Sequence, residues 1–291
     1  MKKARDLTLI FFIYAIAFIA IFFFYRLLPW ESFILKVIVC DIFATILVFI
    51  FSVVLKNSSV YDPYWSVAPL AIFPFFVRSF DSKTLLLLVP LAVWGIRLTL
   101  NWAKTFKDLS VQDWRYDHYR NVSGRLWPLV NFFGIHFMPT MIVIGVMLPG
   151  FLYLESGEGM NIWTAFGCLV SILGIVLEAA ADATAHRFRK EHPGQVNDRG
   201  LWKYSRHPNY LGEITFWWGV FFMMLSVEPE SWHFFVGPLA NTLLFIFISI
   251  PLMEKRQLRN KPDYQTYREE TSMLLLLPKK RKRPVTSSSR G

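Results

Sequence analysis

Cysteine and charge are both scarce in this chain of 291 residues. The two cysteines, Cys40 and Cys168, lie inside apolar runs, so we expect neither a structural disulfide nor a zinc site. Charged residues make up 18% of the chain, whereas a soluble domain carries about 25%. No G-x-G-x-x-G motif follows a strand pattern, which excludes a Rossmann nucleotide-binding fold, and no H-E-x-x-H or C-x-x-C motif occurs.

Long apolar runs are abundant: 54% of the residues are hydrophobic and 17% are aromatic. A transmembrane helix needs about 20 consecutive apolar residues. The sequence therefore predicts an all-α integral membrane protein. Because the third and seventh runs are short, the predicted bundle has seven to eight transmembrane helices. The eight candidate spans are residues 7–28, 33–55, 65–80, 84–103, 130–154, 162–185, 209–226 and 231–252.

Positive charge lies between the apolar runs and predicts the orientation of the chain. The formal net charge is +10, and nearly all Lys and Arg residues fall in alternate loops. A cytoplasmic N-terminus places those loops inside, so we expect a multi-pass protein with both termini cytoplasmic and attracted to anionic membrane lipids. No nucleic-acid partner is expected, because the basic residues do not cluster on a soluble module. The predicted inside segments are residues 56–64, 104–129, 186–208 and the chain from Glu254.

The predicted domain organisation is simple. No stretch between the spans is long enough for a separate soluble domain, so we expect a single transmembrane domain over residues 1–278. Residues 279–291 form a basic tail that is predicted to be disordered. The loop 104–129 mixes basic and aromatic residues, which indicates an interfacial helix.

Three polar residues share one face of the sixth apolar run. Glu178, Asp182 and Arg189 are spaced by four and seven residues, which places them on one side of a helix. Carboxylates inside a span are costly and usually face a cavity or a partner. The simpler interpretation is that Asp182 pairs with His186 or Arg189 and only caps the end of the span.

Two further polar residues, Asp41 and His136, lie within other apolar runs. They form no polar row along one helix. We expect Asp41 to be a buried partner of the nearby Lys36, with the lining of a substrate pocket as the alternative, and His136 to be a hydrogen-bonded histidine of the bundle rather than a ligand.

Residues 197–213 combine basic, amide, phenol and carboxylate groups at a membrane boundary. Arg and Lys side chains bind phosphate oxygens, and Trp or Tyr rings offer a face to an aromatic base. A solvated positive loop would account for Lys203 and Arg206. It would not account for Asn209 and Glu213, which lie four residues apart and enter an apolar span together. The run therefore indicates a site for a phosphorylated aromatic ligand.

Residues 200–213 read Gly-Leu-Trp-x-Tyr-Ser-Arg-His-Pro-Asn-Tyr-x-Gly-Glu, which resembles the C-terminal signature of the steroid 5α-reductase family. The similarity is closest to the bacterial branch of that family and covers about residues 60–280. It implies a helical bundle of the bacterial inner membrane, with cytoplasmic loops that close a pocket for NADPH. The implied reaction is hydride transfer to the activated C=C bond of a lipophilic enone that enters from the bilayer.

The resemblance also implies which residues bind the cofactor. It places five positions at the nucleotide: Asp182, Arg189, Tyr204, Asn209 and Glu213. Five neighbours with suitable charge or polarity are expected to add contacts: Arg199, Lys203, Arg206, His207 and Glu254.

In the family, a Glu–Tyr pair holds the ketone of the substrate. Asp62 stands at the position of the Glu, whereas Trp94, three residues before Arg97, stands at that of the Tyr. We expect Asp62, Trp94 and Arg97 to bind substrate, with Asp62 as a neutral acid that donates to the carbonyl oxygen. An indole has no acid proton to give, so three tyrosines remain as candidates for the catalytic partner: Tyr61, Tyr64 and Tyr116.

Two other functions stay open. The chain also resembles isoprenylcysteine carboxyl and phospholipid methyltransferases, which use S-adenosylmethionine. The resemblance rests on residues 206–212 together with Glu254, Tyr264 and Tyr267. The cations around the signature favour the reductase, because S-adenosylmethionine carries no phosphate. A lipid-binding or transport protein is the second alternative, but the chain has no matched pair of broken helices of the kind that transporters often show.

Overall fold

A computed structural model describes residues 2–279, so all of the predicted basic tail except Lys279 lies outside the described residues. Within 2–279 the regular structure is helical, as predicted, with one isolated bridge between Ser205 and Ser272. The α-helices are α1 (Lys2–Leu27), α2 (Phe33–Val54), α3 (Tyr64–Ile72), α4 (Ser82–Thr105), α5 (Trp114–Ser123), α6 (Trp127–Leu129), α7 (Met138–Glu155), α8 (Ile162–Glu191), α9 (Pro208–Leu225), α10 (Val236–Leu244), α11 (Ile250–Asn260) and α12 (Tyr264–Glu270).

Six helical stretches in the described part of the chain are long and apolar enough to cross a membrane. They identify an integral membrane protein and correspond to six of the eight predicted spans. Because the predicted spans 65–80 and 209–226 are not among them, a count of seven or eight remains a prediction. The six stretches are Lys2–Leu27, Phe33–Val54, Ser82–Thr105, Trp114–Glu155, Ile162–Glu191 and Pro229–Asn260.

The third predicted span, 65–80, forms a short α-helix and a 3₁₀ turn, each containing a proline. Helix α3 has nine residues, with Pro69 inside it, and a 3₁₀ turn with Pro74 in its first positions follows over Phe73–Phe76. Proline lacks an amide donor and its ring crowds the preceding turn, so it interrupts an α-helix. The segment that results is too short to cross a bilayer as one helix.

Polar residues set α9 apart from the six apolar stretches. This helix has 18 residues and begins at Pro208, which suits a first helical position because the missing amide would have had no partner there. Asn209 and Glu213 lie in its first two turns and make it less apolar. Glu213 is only 4% exposed, so α9 carries this carboxylate inside the protein.

The described residues form two compact units. The first comprises residues 2–161 and 224–237, and the second comprises 162–223 and 238–279. The core of the first unit lies where α1, α2 and α3 meet, and small residues there allow close packing of the helices. This core consists of Ile13, Ala17, Ala44, Val48, Val60, Tyr61, Tyr64 and Ala68.

In the second unit, α8 and α9 approach each other at backbone distance. A Cβ atom added to Gly174 would lie 2.5 Å from the amide nitrogen of Phe216, and one added to Gly212 would lie 2.6 Å from that of Glu178. Only glycine fits without a shift of the backbone at these two places. The contact places the buried Glu178 of α8 beside the first turns of α9.

Candidate functional site

The segment before α3 is held against the loop before α5 by hydrogen bonds. Asn57 accepts from the amide of Ser59 at 2.8 Å, and its Nδ2 donates to the carbonyl of Leu109 at 2.8 Å. The hydroxyl oxygen of Ser59 accepts from the amide of Asp113 at 2.9 Å. Because these bonds join two segments that are distant in sequence, Asp62 is fixed beside the start of α5.

Helix α5 presents two of its first residues to Asp62. Asp113 caps this helix, accepting from the amide of Arg115 at 2.9 Å and from its Nε at 2.8 Å. The hydroxyl of Tyr116 donates to Oδ1 of Asp62, and the Arg115 guanidinium lies 4.0 Å from the same oxygen. Among the three candidate tyrosines, Tyr116 is thus the one hydrogen-bonded to Asp62.

Burial controls the charge of Asp62. Desolvation raises the pKa of this carboxyl from 3.8 to about 6, although the positive charge of Arg115 and the hydrogen bond from Tyr116 act in the opposite direction. A carboxyl with this pKa can hold or release a proton near neutral pH. Paired with a phenol, it can donate a hydrogen bond to an oxygen on which negative charge develops.

Tyr64 pairs with a different carboxylate, Asp41 on α2. Its hydroxyl donates to Oδ1 of Asp41 and lies 3.1 Å from the main-chain carbonyl of the same residue. The expected pairing of Asp41 with Lys36 is therefore wrong: the Lys36 ammonium lies over the ring of Tyr25, 5.1 Å from its centre. Asp41 is 3% exposed, and its Oδ2 has no hydrogen-bond partner in the described residues.

A cavity of about 660 Å³ opens in the first unit among α1, α2, α3 and α4. Asp41 and Tyr64 line it, and most of the remaining wall is apolar. Its volume falls within the range of small-molecule sites. The predicted substrate-binding residues Asp62, Trp94 and Arg97 are not among the described residues that line it. Trp94 is fully buried in α4.

In the second unit, Glu254 of α11 anchors the signature loop, residues 200–208. Its Oε1 accepts from Nε of Arg206 at 2.6 Å and lies 3.3 Å from Nε2 of His207, and its Oε2 lies 3.1 Å from Nε of Arg268. Burial lowers the pKa of His207, although the hydrogen bond and negative charge of Glu254 act in the opposite direction. Three predicted cofactor residues thus come together, because Arg206 and His207 both contact Glu254.

The C-terminal segment packs on the signature loop from the other side. The Tyr267 hydroxyl donates to the carbonyl of Trp202 at 2.6 Å, and the Ser205 hydroxyl donates to the carbonyl of Leu274 at 2.7 Å. The indole N–H of Trp202 donates to the carbonyl of Ala181 on α8 at 3.0 Å. The loop is therefore held between α8 and the chain that follows α11.

A cleft of about 110 Å³ lies beside the signature loop. Two amide side chains line it with one unused polar atom each: Nδ2 of Asn197 and Oδ1 of Asn209 are buried and have no hydrogen-bond partner in the described residues. Buried polar atoms nearly always find a partner in the protein, in water or in a ligand. One of these atoms donates and the other accepts, which suits a ligand with both kinds of group, such as a heterocyclic base.

Aromatic rings and cations also line this cleft. His207 and Tyr210 line it with their rings stacked, 5.3 Å between centroids and 7° between planes, and Tyr264 and Lys261 line it as well. Burial lowers the pKa of Lys261, and the nearby positive charge of Arg189 lowers it further. An anion bound between these two cations would relieve their repulsion, so the cleft is suited to a ring attached to a phosphate or carboxylate.

Of the ten predicted cofactor residues, Arg206, His207 and Asn209 line the cleft. Glu213 and Glu254 are buried elsewhere, Glu213 accepting from the indole N–H of Trp217 at 3.0 Å. The other five are half-buried or exposed: Asp182, Arg189, Arg199, Lys203 and Tyr204.

Among the residues of the cleft that were not assigned to the site from the sequence are Asn197, Gln257 and Lys261. Asn197 opens the polar run 197–213, so its residue type was a usable signal. Gln257 and Lys261 lie at the end of α11 and just after it, where only the fold brings them to the signature loop.

Comparison with known proteins gives the family of this chain but not its activity. An uncharacterized protein of Schizosaccharomyces pombe is 24% identical over 75% of this chain and 72% of its own length. The protein-S-isoprenylcysteine O-methyltransferase of Saccharomyces cerevisiae is 28% identical over 33% of this chain, which spans 42% of that relative. No solved structure matches significantly.

A family model with the description "Protein of unknown function (DUF1295)" matches residues 48–271. The matched region contains both the Asp62–Tyr116 pair and the cleft lined by Asn209. Because the match covers well over half of the chain, the protein belongs to the DUF1295 family of membrane proteins of unknown function.

Proposed function

We propose that this protein is an NADPH-dependent reductase that transfers a hydride to the activated C=C bond of a lipophilic enone. Two features of the described residues support it: the polar cleft of the second unit and the Asp62–Tyr116 pair of the first. The six apolar helices support a substrate that is taken from the bilayer.

The side chain of Asn209 carries the proposal. It stands where the steroid 5α-reductase resemblance implies a contact with the nucleotide, and its buried Oδ1 lines the cleft without a partner. An acceptor there suits the exocyclic amino group of adenine or the carboxamide of nicotinamide. The unused donor, Nδ2 of Asn197, suits a ring nitrogen or a carbonyl oxygen of the same group.

The size of the cleft limits which part of the cofactor it takes. Its volume of about 110 Å³ is well below the 300–1,000 Å³ of typical small-molecule sites. We therefore assign one ring of the dinucleotide to the cleft, stacked along His207 and Tyr210, with a phosphate near Lys261 and Arg189.

The reaction consumes one hydride and one proton. Reduced nicotinamide supplies the hydride when it is bound. When a hydride adds to the β-carbon, the C=C π bond breaks and a new C=C bond forms to the carbonyl carbon, whose C=O π electron pair moves to oxygen. Protonation of that oxygen gives an enol, which tautomerises to the saturated ketone. We assign the neutral carboxyl of Asp62, hydrogen-bonded to Tyr116, to stabilise that oxygen and to supply the proton.

We also propose that both termini and the signature loop are cytoplasmic. The basic residues of the loops 104–129 and 186–208 support this orientation through the positive-inside rule. NADPH would then reach the cleft from the cytoplasm.

A second candidate function is methyl transfer from S-adenosylmethionine. The observation in its favour is the similarity to the yeast enzyme named as a protein-S-isoprenylcysteine O-methyltransferase. A cleft for adenine would serve either cofactor. The cations Lys261 and Arg189 favour NADPH, because it carries phosphates and S-adenosylmethionine carries a single carboxylate.

Thermal stability of the purified protein in lipid nanodiscs tests the proposal. At 100 times its dissociation constant a cofactor stabilises the folded state by about 2.7 kcal/mol, so NADPH is expected to raise the melting temperature while S-adenosylmethionine does not. Asn209→Ala and Arg189→Ala should each remove this rise without lowering the melting temperature of the protein alone.

Arg187→Ala is the matched control, since Arg187 is another exposed arginine of α8. It should retain the full response to NADPH. A response to S-adenosylmethionine alone, or an NADPH response unaffected by both test substitutions, would overturn the assignment of the cleft.

A further inference from the structure

We propose that the cavity of the first unit is a binding site for a lipid alcohol, whose hydroxyl is held by Asp41. This inference is independent of the reductase proposal. The cavity shares no lining residue with the cleft of the second unit, and Asp62 does not line it. It concerns the part of the wall formed by α1, α2 and α3.

Among the described wall residues of the cavity, Asp41 has a buried side-chain polar atom without a hydrogen-bond partner. Asp41 is 3% exposed and lines the cavity, and its Oδ2 has no hydrogen-bond partner, whereas Oδ1 accepts from Tyr64. A buried carboxyl oxygen without a partner is costly in an apolar environment. Tyr14 and Thr99, which also line the cavity, donate their hydroxyl protons to the carbonyls of Val60 and Gly95.

The rest of the wall suits a hydrocarbon body. Among its members are Ile10, Ala44, Val48 and Ala68, all at least nine-tenths buried. A volume of about 660 Å³ is of the size that encloses a small lipophilic molecule.

Part of the cavity wall, here called its mouth, is exposed on apolar helices that are suited to contact with lipid. Four phenylalanines of its wall are between 45% and 67% exposed, and all lie on apolar helical segments of α1 and the turn after α3: Phe11, Phe18, Phe22 and Phe75. The rings of Phe18 and Phe75 meet across the mouth, 6.0 Å between centroids. A ligand dissolved in the bilayer can therefore enter sideways without passing through water.

The chemistry of Asp41 selects a hydroxyl as the head group. A hydroxyl both donates and accepts, so it complements Oδ2 whether the carboxyl is protonated or ionised. A fatty acid would instead seek the cation of the wall, Arg26, which is exposed and lies 4.4 Å from the Phe22 ring centre. The buried carboxyl of Asp41 disfavours an anionic head group.

A matched set of ligands tests this proposal. Phytanol, phytane and phytanic acid share one branched hydrocarbon skeleton and differ only at the head. The protein is equilibrated in nanodiscs with equal mole fractions of the three, repurified in mild detergent, and its bound lipids are quantified by mass spectrometry. Wild-type protein should retain phytanol about tenfold over phytane, which is the effect of one buried hydrogen bond.

Substitutions at Asp41 assign that preference to its carboxyl. Asp41→Leu should bring the ratio of phytanol to phytane to about one, and Asp41→Asn, which keeps hydrogen-bonding atoms, should preserve most of the preference. Ala15→Trp, which fills the cavity from α1, should reduce retention of both lipids.

Three results would overturn the proposal. The first is equal retention of phytanol and phytane by wild-type protein, which decides the matter even where a variant fails to fold. The second is an unchanged preference in Asp41→Leu. The third is stronger retention of phytanic acid than of phytanol, lost in Arg26→Ala, which would identify a fatty-acid site.

Discussion

The hydroxyl of Tyr116 donates to Oδ1 of Asp62, although 54 positions separate the two residues in the chain. The hydrogen bonds of Asn57 and Ser59 to the segment before α5 make this pairing possible. Asp62 is thereby held largely buried, with a neutral phenol and a guanidinium beside it. We assign the role of general acid to this pair, Asp62 and Tyr116.

Replacement of the carboxyl should slow the reaction without affecting the cofactor. Asp62→Asn is expected to lower turnover by about 100-fold or more, the usual contribution of a general acid. The rise in melting temperature caused by NADPH should stay as in the wild type, because Asp62 does not line the cleft. Steady-state turnover and thermal shift measure the two effects, and an unchanged turnover would remove Asp62 from the mechanism.

The pH dependence follows from the raised pKa of Asp62. Its carboxyl is protonated below about pH 6 and ionised above it, so kcat/KM should fall as pH rises through about 6. Between pH 3.8 and about 6, the carboxyl of Asp62 is protonated in the folded protein and ionised in the unfolded chain. Ionisation of Asp62 should therefore lower stability as pH rises across that window.

Asp62→Asn should remove both dependences, since an amide does not titrate. If kcat/KM of this variant still falls as pH rises through about 6, the titrating group is not Asp62.

Glu254 should matter for stability more than any exposed carboxylate of the C-terminal segment. Its side chain is 7% exposed and contacts two arginines and His207. Glu254→Leu leaves the largely buried Arg206 without its anion, which is expected to cost about 3–5 kcal/mol. The segment that follows α11 should then be cleaved more readily in limited proteolysis than in the wild-type protein.

Glu269→Leu is the control for that variant, because Glu269 is exposed. It should change the free energy of unfolding by less than about 1 kcal/mol. Equal protease resistance of Glu254→Leu and Glu269→Leu would contradict the anchoring role of Glu254.

The contact between α8 and α9 should tolerate no side chain at Gly212. A Cβ atom there meets the backbone of α8 at 2.6 Å, so Gly212→Ala forces the helices apart and is expected to cost about 1–3 kcal/mol. Gly159→Ala, in a loop where a Cβ meets nothing within 4 Å, should be close to neutral. Thermal unfolding of both variants measures the difference, and equal melting temperatures would argue against a backbone contact.

Most of the long helices could be predicted, because a membrane span is a run of about 20 apolar residues that is visible in the sequence. The third run stays a prediction as a span: its hydropathy suggests one, but α3 ends at Ile72 and a 3₁₀ turn with Pro74 in its first positions follows. Helix α9 forms where expected, yet the polar residues that identify the signature also lower its hydropathy. A helix does form in the loop 104–129, namely α5, and its interfacial position stays a prediction.

Residue type located the candidate site only in part. Asn209 was singled out because an amide that enters an apolar span needs an explanation, and it does line the cleft. The partners of Asp62 and Asp41 could not be predicted, because long-range hydrogen bonds leave no periodic pattern in the sequence. Trp94, at the position expected for a tyrosine, is fully buried, and its contact with substrate stays a prediction.

Transfer of an isotopic label tests the reductase assignment most directly. Purified protein in nanodiscs is given NADPH deuterated at C4, methyl-tritiated S-adenosylmethionine and a lipid enone such as 4-cholesten-3-one, and the lipids are analysed for both labels. We predict one deuterium at the β-carbon of a reduced lipid, no tritium, and loss of the transfer in Asn209→Ala. Tritium in the lipid fraction, with no deuterium, would contradict the account and identify a methyltransferase.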